Sequence, residues 1–204
     1  MSKNTHHHGD LREALILAGL ALMEEGGPEA LTLRKCAARA GVSHAAPAYH
    51  FNGLVSLKAA IVARGYRIFT QTMKDHRAQA GPDPRAQLVA ICKGYLAFSA
   101  SHAALFRFMF QDFGDLLPRI NASVLKELEL ESTRAYQVLS EACAPFEPPS
   151  GQAHSTEVLV WSLVHGYAML FGGDKNASTP AGVVPDFARI LPDFPLASNN
   201  SAKR

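Results

Sequence analysis

The chain has 204 residues, 48% hydrophobic and 19% charged, with 15 glycines, 12 prolines and a formal net charge of +2. That is the composition of a globular protein with one large domain or two small ones. No apolar run reaches the ~20 residues of a membrane span, the polar first ten residues do not read as a secretory signal, and Cys36, Cys92 and Cys143 are too scattered for a disulfide framework or a zinc site. The expectation is a cytoplasmic protein with no membrane partner, no metal and no cofactor.

Leu11, Ala14, Leu15, Ala18, Leu22 and Met23 recur at helical spacing, which predicts a helix over 10–25 with Asp10 as its N-cap and a stop at Gly26-Gly27-Pro28. Thr32 is placed to cap a short helix over 33–40, and Gly41 stands where a left-handed C-terminal residue is wanted. Ser43 then caps a third helix of about two turns that ends near His50, with Pro47 inside it at the cost of one early backbone bond. A long helix follows over roughly 54–79. Asp83 and Pro84 open a fifth towards Ser101, and 102–111 and 116–121 read as shorter helices. Longer helices are predicted over 123–143 and 156–171, and a weak one over 185–191. Nothing alternates with period two, so the fold class is all-α.

Charge is unevenly distributed along this plan. Between Glu29 and Asp75 there is no acidic residue, yet Arg34, Lys35, Arg39, Lys58, Arg64, Arg67 and Lys74 all fall there. From Asp75 onward, 11 basic and 13 acidic residues give a net −2. A one-sided block of this kind is either a solvated face or a surface that meets something negative, phosphates being the commonest such partner. Glu127, Glu129 and Glu131, alternating along one predicted helix, read as solvated.

The acid-free block coincides with a helix pair. In a helix-turn-helix, two short helices meet through a tight turn, and the second enters the DNA major groove while the first crosses the backbone. Residues 31–51 supply these parts: small Ala37, Ala38 and Ala40 for close packing, Gly41 for the turn, Val42 to anchor it and Ser43-His44 to open the second helix. A Gly-turn helix pair alone is a weak signal, and the charge block strengthens it.

Residues 9–70 resemble the DNA-binding domain of the TetR (tetracycline-repressor) family. The resemblance is carried by Leu11-Arg12, Glu24-Glu25-Gly26, Leu31-Thr32-Leu33-Arg34, Ala37 through Ser43, Tyr49-His50-Phe51 and the long helix that follows. His7-His8-Gly9 before Asp10 also looks like the opening of one branch of the family. Trp161, His165 and Gly166, spaced W-x-x-x-H-G, look like the signature of one C-terminal subtype, and Leu105 through Phe110 match its other common segment. The family pattern is broken at Ala48, where an aromatic is usual, and at Leu54, where a lysine is usual.

The resemblance implies a three-helix DNA-binding bundle over 9–55, a fourth helix running to about 80, a larger effector-binding and dimerisation domain over 83–194, and flexible ends at 1–8 and 197–204. It implies a ligand-responsive transcriptional regulator, a repressor rather than an enzyme, bound as a homodimer to a pseudo-palindromic operator in double-stranded DNA. DNA contacts carry over to Thr32, Arg34, Ser43, His44, Ala45, Tyr49, His50 and Lys58. An unidentified small apolar or aromatic effector would lie against Phe106, Met109, Phe110, Trp161 and His165. The dimer interface would use Leu125, Leu128, Leu139, Val158, Leu159, Ser162 and Met169. Each has a plainer reading, as core aromatics or, for His165, as a bond to a neighbouring helix. The rival classes are an all-helical small-molecule-binding protein and an enzyme without DNA function. Against the enzyme, no paired carboxylates, nucleophile with a nearby His, or metal-ligand spacing occurs in the sequence.

Overall fold

The structure, a computed structural model, describes residues 5–148, 151–172 and 184–197. In chain order it contains α1 (Thr5–Gly26), a 3-10 turn (Pro28–Ala30), α2 (Leu33–Arg39), a second 3-10 turn (Ala46–Tyr49) and α3 (Gly53–Ala78). Then come α4 (Pro84–Ser101), α5 (Ala103–Arg107), a π-helical turn (Phe108–Asp112), a 3-10 stretch (Phe113–Arg119), α6 (Ala122–Cys143), α7 (Ser155–Phe171) and α8 (Phe187–Ile190). The fold is all-helical; among the described residues β-structure is limited to one isolated bridge between Phe146 and Leu196.

Where local chemistry is strong, the elements begin where the sequence places them. Asp83 accepts from the Ala86 N–H at 2.7 Å and starts α4 on Pro84. α8, expected over 185–191, is shorter: Asp186 accepts from the Ala188 N–H at 3.0 Å and starts it at Phe187. Two other expectations are corrected. Asp10 does not cap the first helix, because that helix already runs from Thr5 and Asp10 lies within it. The two short helices after Ser101 form one irregular run, in which Pro118, unable to donate a backbone bond, sits in the 3-10 stretch. Of the ends read as flexible, 1–4 and 198–204 lie outside the described residues, 5–8 are helical, and Ala197 donates its N–H to the Pro145 carbonyl at 2.9 Å.

The described residues gather into two units. The first takes the chain to Arg67 and adds His102–Ser132. Its core is the inward stripe of α1 (Leu15, Ile16, Met23) with Leu31, Cys36, Phe51, Leu57, Ile61, Leu105 and Phe106, all at most 4% exposed. α1 packs on both α2 and α5, and His102 meets Glu24 of α1 at 3.0 Å.

The second unit takes Ile68–Ser101 and continues from Thr133. Within it α4 packs on α7, and Phe69 rests against Tyr95 and Phe98 at ring separations of 4.7 and 5.0 Å. The C-terminal segment is tied down by Phe187 against Tyr167 (5.3 Å) and by Arg85, which donates to the Leu191 carbonyl at 2.7 Å. α3 and α4 touch closely where Gly94 has no side chain: a Cβ there would lie 2.7 Å from the Met73 Cα and 2.9 Å from the Thr72 carbonyl oxygen.

A Gly94→Ala substitution is therefore expected to destabilise the protein. Overpacking against backbone costs about 1–3 kcal/mol, which outweighs the gain of about 1 kcal/mol that alanine brings to a helix interior. Chemical denaturation of the two proteins checks this; an unchanged or raised midpoint would show that the helices have room to part.

Candidate nucleic-acid interface

Each end of α2 is fixed by its own residues. Thr32, in extended conformation, accepts the Lys35 N–H on its hydroxyl at 3.1 Å, as an N-cap should. At the other end Gly41 adopts φ +70°, and two bonds close the helix: Gly41 N–H to the Ala38 carbonyl (3.2 Å) and Val42 N–H to the Ala37 carbonyl (3.0 Å). This pair is the Schellman motif, whose left-handed residue favours glycine.

The element after the turn differs from the expected two-turn α-helix capped by Ser43. It is a 3-10 turn, Ala46–Tyr49, and the Ser43 side chain caps nothing. The cause is Pro47. An α-helix begun at Ser43 would need the residue-47 N–H to bond the Ser43 carbonyl, and proline has none. That carbonyl instead takes the Ala46 N–H at 3.0 Å, while the Pro47 carbonyl accepts from both His50 (3.0 Å) and Phe51 (2.9 Å). The turn buries Ala46 and Pro47, so the apolar centre of the reading element faces inward. Ser43, His44, Ala45 and Ala48 remain exposed, Tyr49 is 82% exposed, and His50 is half-buried.

The acid-free block is not a block of free charge. Arg39 binds Glu25 through two bonds of 2.5 Å, which hold the Glu25 carboxyl below its ordinary pKa. Arg64 pairs with Glu13 at 2.8 Å. Arg67 bonds one oxygen of Glu127 and lies 3.3 Å from Glu131. Lys58 is half-buried, with its ammonium 5.4 Å from the centre of the Phe108 ring, an attractive cation–π arrangement. On the exposed edge of α2, Arg34 and Lys35 have no carboxylate partner among the described residues. Lys35, counted in the acid-free block but not among the DNA contacts expected from the sequence, stands exposed beside Arg34; its place in the first turn after Thr32 was the available signal.

The Arg67 contacts belong to a larger network, and they correct the solvated reading of the α6 acids. Glu127 takes Arg67 on one oxygen and Arg12 of α1 on the other at 2.9 Å. Glu131, one turn on and on the same helical face, is 6% exposed; only Glu129 faces solvent. Arg12 also lies 5.7 Å from the Phe51 ring centre. α1, α3 and α6 are thereby joined by charge within the first unit. Arg12 and Glu127 are 115 residues apart, so no local pattern announces the pair.

The residues expected to line an effector pocket fall in both units. In the first, Phe106 and Met109 are buried and Phe110 half-buried, with Phe106 4.9 Å and Tyr66 6.0 Å from the Phe110 ring. Phe110 and Met109 sit in the π-helical turn, an irregularity often found at functional sites. In the second, Trp161 is 41% exposed and packs edge-on to Tyr136 at 6.2 Å. His165 Nδ1 lies 2.8 Å from the Tyr95 hydroxyl, and burial pushes its pKa down, which favours a neutral imidazole. Of the side chains expected at a dimer interface, Leu128 and Leu139 are buried within the chain itself. Leu125, Leu159 and Met169 are half-buried, Ser162 is exposed, and Val158 is exposed too. Leu170, unnoticed in the sequence, is 70% exposed on the same α7. Burial also pushes the Cys92 and Cys143 thiols up to about 12, which leaves them protonated and poor nucleophiles at neutral pH.

Residues 88–183 match a family model described as the tetracyclin repressor-like, C-terminal domain. No curated protein matches the chain. Among solved structures, a Rhodococcus sp. RHA1 protein of unknown function is 24% identical, with 93% of each chain covered and a TM-score of 0.66. A putative transcriptional regulator from Streptomyces coelicolor A3(2) is 19% identical over 89% of this chain and 96% of its own, with a TM-score of 0.61. PfmR, a TetR family transcriptional regulator from Thermus thermophilus, is 16% identical over 78% of this chain and 85% of its own, with a TM-score of 0.57. At these identities the likeness is one of fold.

Glu127→Gln keeps the shape of the network and removes its central charge, leaving Arg12 and Arg67 to face a neutral amide. Because Glu127 is about a quarter exposed, the loss falls below that of a fully buried pair, at roughly 1–3 kcal/mol. Urea denaturation should show it, and a stability equal to wild type would mean that the network holds nothing together.

Proposed function

We propose that this chain is a TetR-family, DNA-binding transcriptional regulator, a repressor that a small apolar or aromatic effector releases from its operator. The observation that carries the reading is the exposed edge of residues 32–49. A capped short helix and a Schellman turn lead into a reading element, and Arg34 and Lys35 stand beside it without carboxylate partners among the described residues. Residues 9–55 would form the DNA-binding domain, with α3 as the connecting helix, and 83–194 the effector-binding and dimerisation domain. The C-terminal domain match over 88–183 supports the latter assignment.

In this reading Thr32, Arg34, Ser43, Tyr49 and His50 position the protein on phosphates, which fixes register without reading sequence. Lys58 reaches a phosphate only by leaving the Phe108 ring, so its contribution is smaller than that of Arg34. His44 and Ala45 meet base edges. With Ala46 and Pro47 turned inward, direct readout rests on few side chains, and DNA shape supplies the remaining discrimination. Two copies joined through α6 and the outer face of α7, where Val158, Ser162 and Trp161 are exposed, would set the reading elements about 34 Å apart, one turn of DNA. The effector would lie by the Phe106, Met109 and Phe110 cluster and the Trp161–His165 face, and its binding would widen that spacing.

Selection of bound duplexes from a random pool tests the proposal. The expected result is a pseudo-palindromic site with half-sites about one turn, or a small multiple of it, apart. His44→Ala should change the preference at one position of each half-site by about 1 kcal/mol while leaving overall affinity for mixed DNA little changed. Failure to enrich any symmetric site would contradict the proposal.

A further inference from the structure

An open cleft of about 560 Å³ lies within the first unit, lined by residues 48–53 and by Asn121, Ser123 and Val124 at the start of α6. Arg12, Phe51 and Glu127 line it too, and they form a chain of contacts from the reading element to α6. Phe51 stands between two elements and belongs to both. Its N–H closes the reading element on the Pro47 carbonyl at 2.9 Å, and its own carbonyl accepts the Gly53 N–H at 2.9 Å where α3 begins. The Phe51 residue is 3% exposed, and the Arg12 guanidinium lies 5.7 Å from its ring centre. A close-packed ring moves with its backbone, so whatever holds Arg12 also holds the end of the reading element.

Glu127 of α6 is what holds it, through the 2.9 Å bond that Arg12 donates. Apolar contact tolerates small displacements, whereas a guanidinium–carboxylate pair has a narrow geometry. A displaced α6 must therefore either draw Arg12 with it or part from it. The two side chains are 35% and 28% exposed, so water can take over their hydrogen bonds, and the pair is one that a displacement can open. α6 runs Ala122–Cys143, wholly inside the matched stretch 88–183, and from Thr133 onward its residues belong to the second unit. One helix thus carries both Glu127 and residues of the half to which effector binding is assigned.

We infer that Arg12 is a positioning residue for DNA reading, and that through it the affinity of the reading element for DNA depends on where α6 stands. The inference rests on the regulator reading proposed above and gives it a route of control. Displacement of α6 opens the Arg12–Glu127 pair, releases Phe51, and loosens the end of the element that carries Tyr49 and His50. Arg12 acts through Phe51 and Glu127, not on the DNA.

The test is binding of the duplex that the wild-type chain selects, measured below the thermal midpoint of every variant used. Arg12→Met and Glu127→Gln should each weaken binding roughly three- to thirty-fold, the range in which residues that couple sites act without touching a ligand. The double variant should bind little more weakly than Arg12→Met alone, since both changes remove one link. Arg12→Lys, which keeps a cation for Glu127, should recover most of the affinity. Should Arg12→Met fail to fold, Glu127→Gln decides alone. The slope of log affinity against log salt should keep its wild-type value in Arg12→Met; a slope lower by about one unit would make Arg12 a direct phosphate contact. That result, or unchanged or tighter binding by Glu127→Gln, would overturn the inference and leave the regulator reading intact. A wild-type chain that binds no duplex would overturn both.

Discussion

The carboxylate of Glu127, held between Arg12 and Arg67, is the interaction on which the first unit depends. Apolar packing of α1 on α2 and α5 supplies most of the burial, but it is non-directional and tolerates sliding. A carboxylate taken on both oxygens by guanidiniums from two other helices has one satisfactory geometry. It fixes the start of α6 against α1 and α3, and so fixes the floor behind the reading turn. The neighbouring Glu131, nearly enclosed beside Arg67, extends the same constraint by one helical turn.

Ion pairing also decides which charges face outward. Three of the seven cations in the acid-free block bind carboxylates drawn from α1 and α6, and a fourth, Lys58, lies over an aromatic ring. Linear charge counting therefore overstates the positive field of this region. The other three are Lys74, exposed on α3 in the second unit, and Arg34 and Lys35, exposed together on α2 beside the turn at 46–49. Charge that is paired internally releases no counterions on binding and contributes little to salt-dependent affinity.

Much of this was legible in the sequence, and the limits have physical causes. Thr32, Gly41 and Asp83 act on backbone groups a few residues away, so their caps and turns can be read from neighbours alone. Pro47 was visible as a strain on an α-helix, but replacing that helix with a 3-10 turn depends on how Ala46 and Pro47 pack inward, which is tertiary. The Arg12–Glu127 pair joins residues 115 positions apart, so no local pattern of the sequence announces it. The apolar residues of the C-terminal half follow the helical period, yet periodicity does not separate Leu128 and Leu139, buried within the chain, from Val158 and Leu170, which face outward.

The claim that internal pairing leaves α2 as the DNA-facing cation source is tested most directly by salt dependence. Duplex binding should be titrated over a range of salt for wild type, for the Arg34→Ala/Lys35→Ala double variant and for Arg64→Ala. The account predicts that the double variant lowers the slope of log affinity against log salt by about two units per chain, while Arg64→Ala leaves it unchanged. Equal reductions, or a larger one for Arg64→Ala, would contradict it.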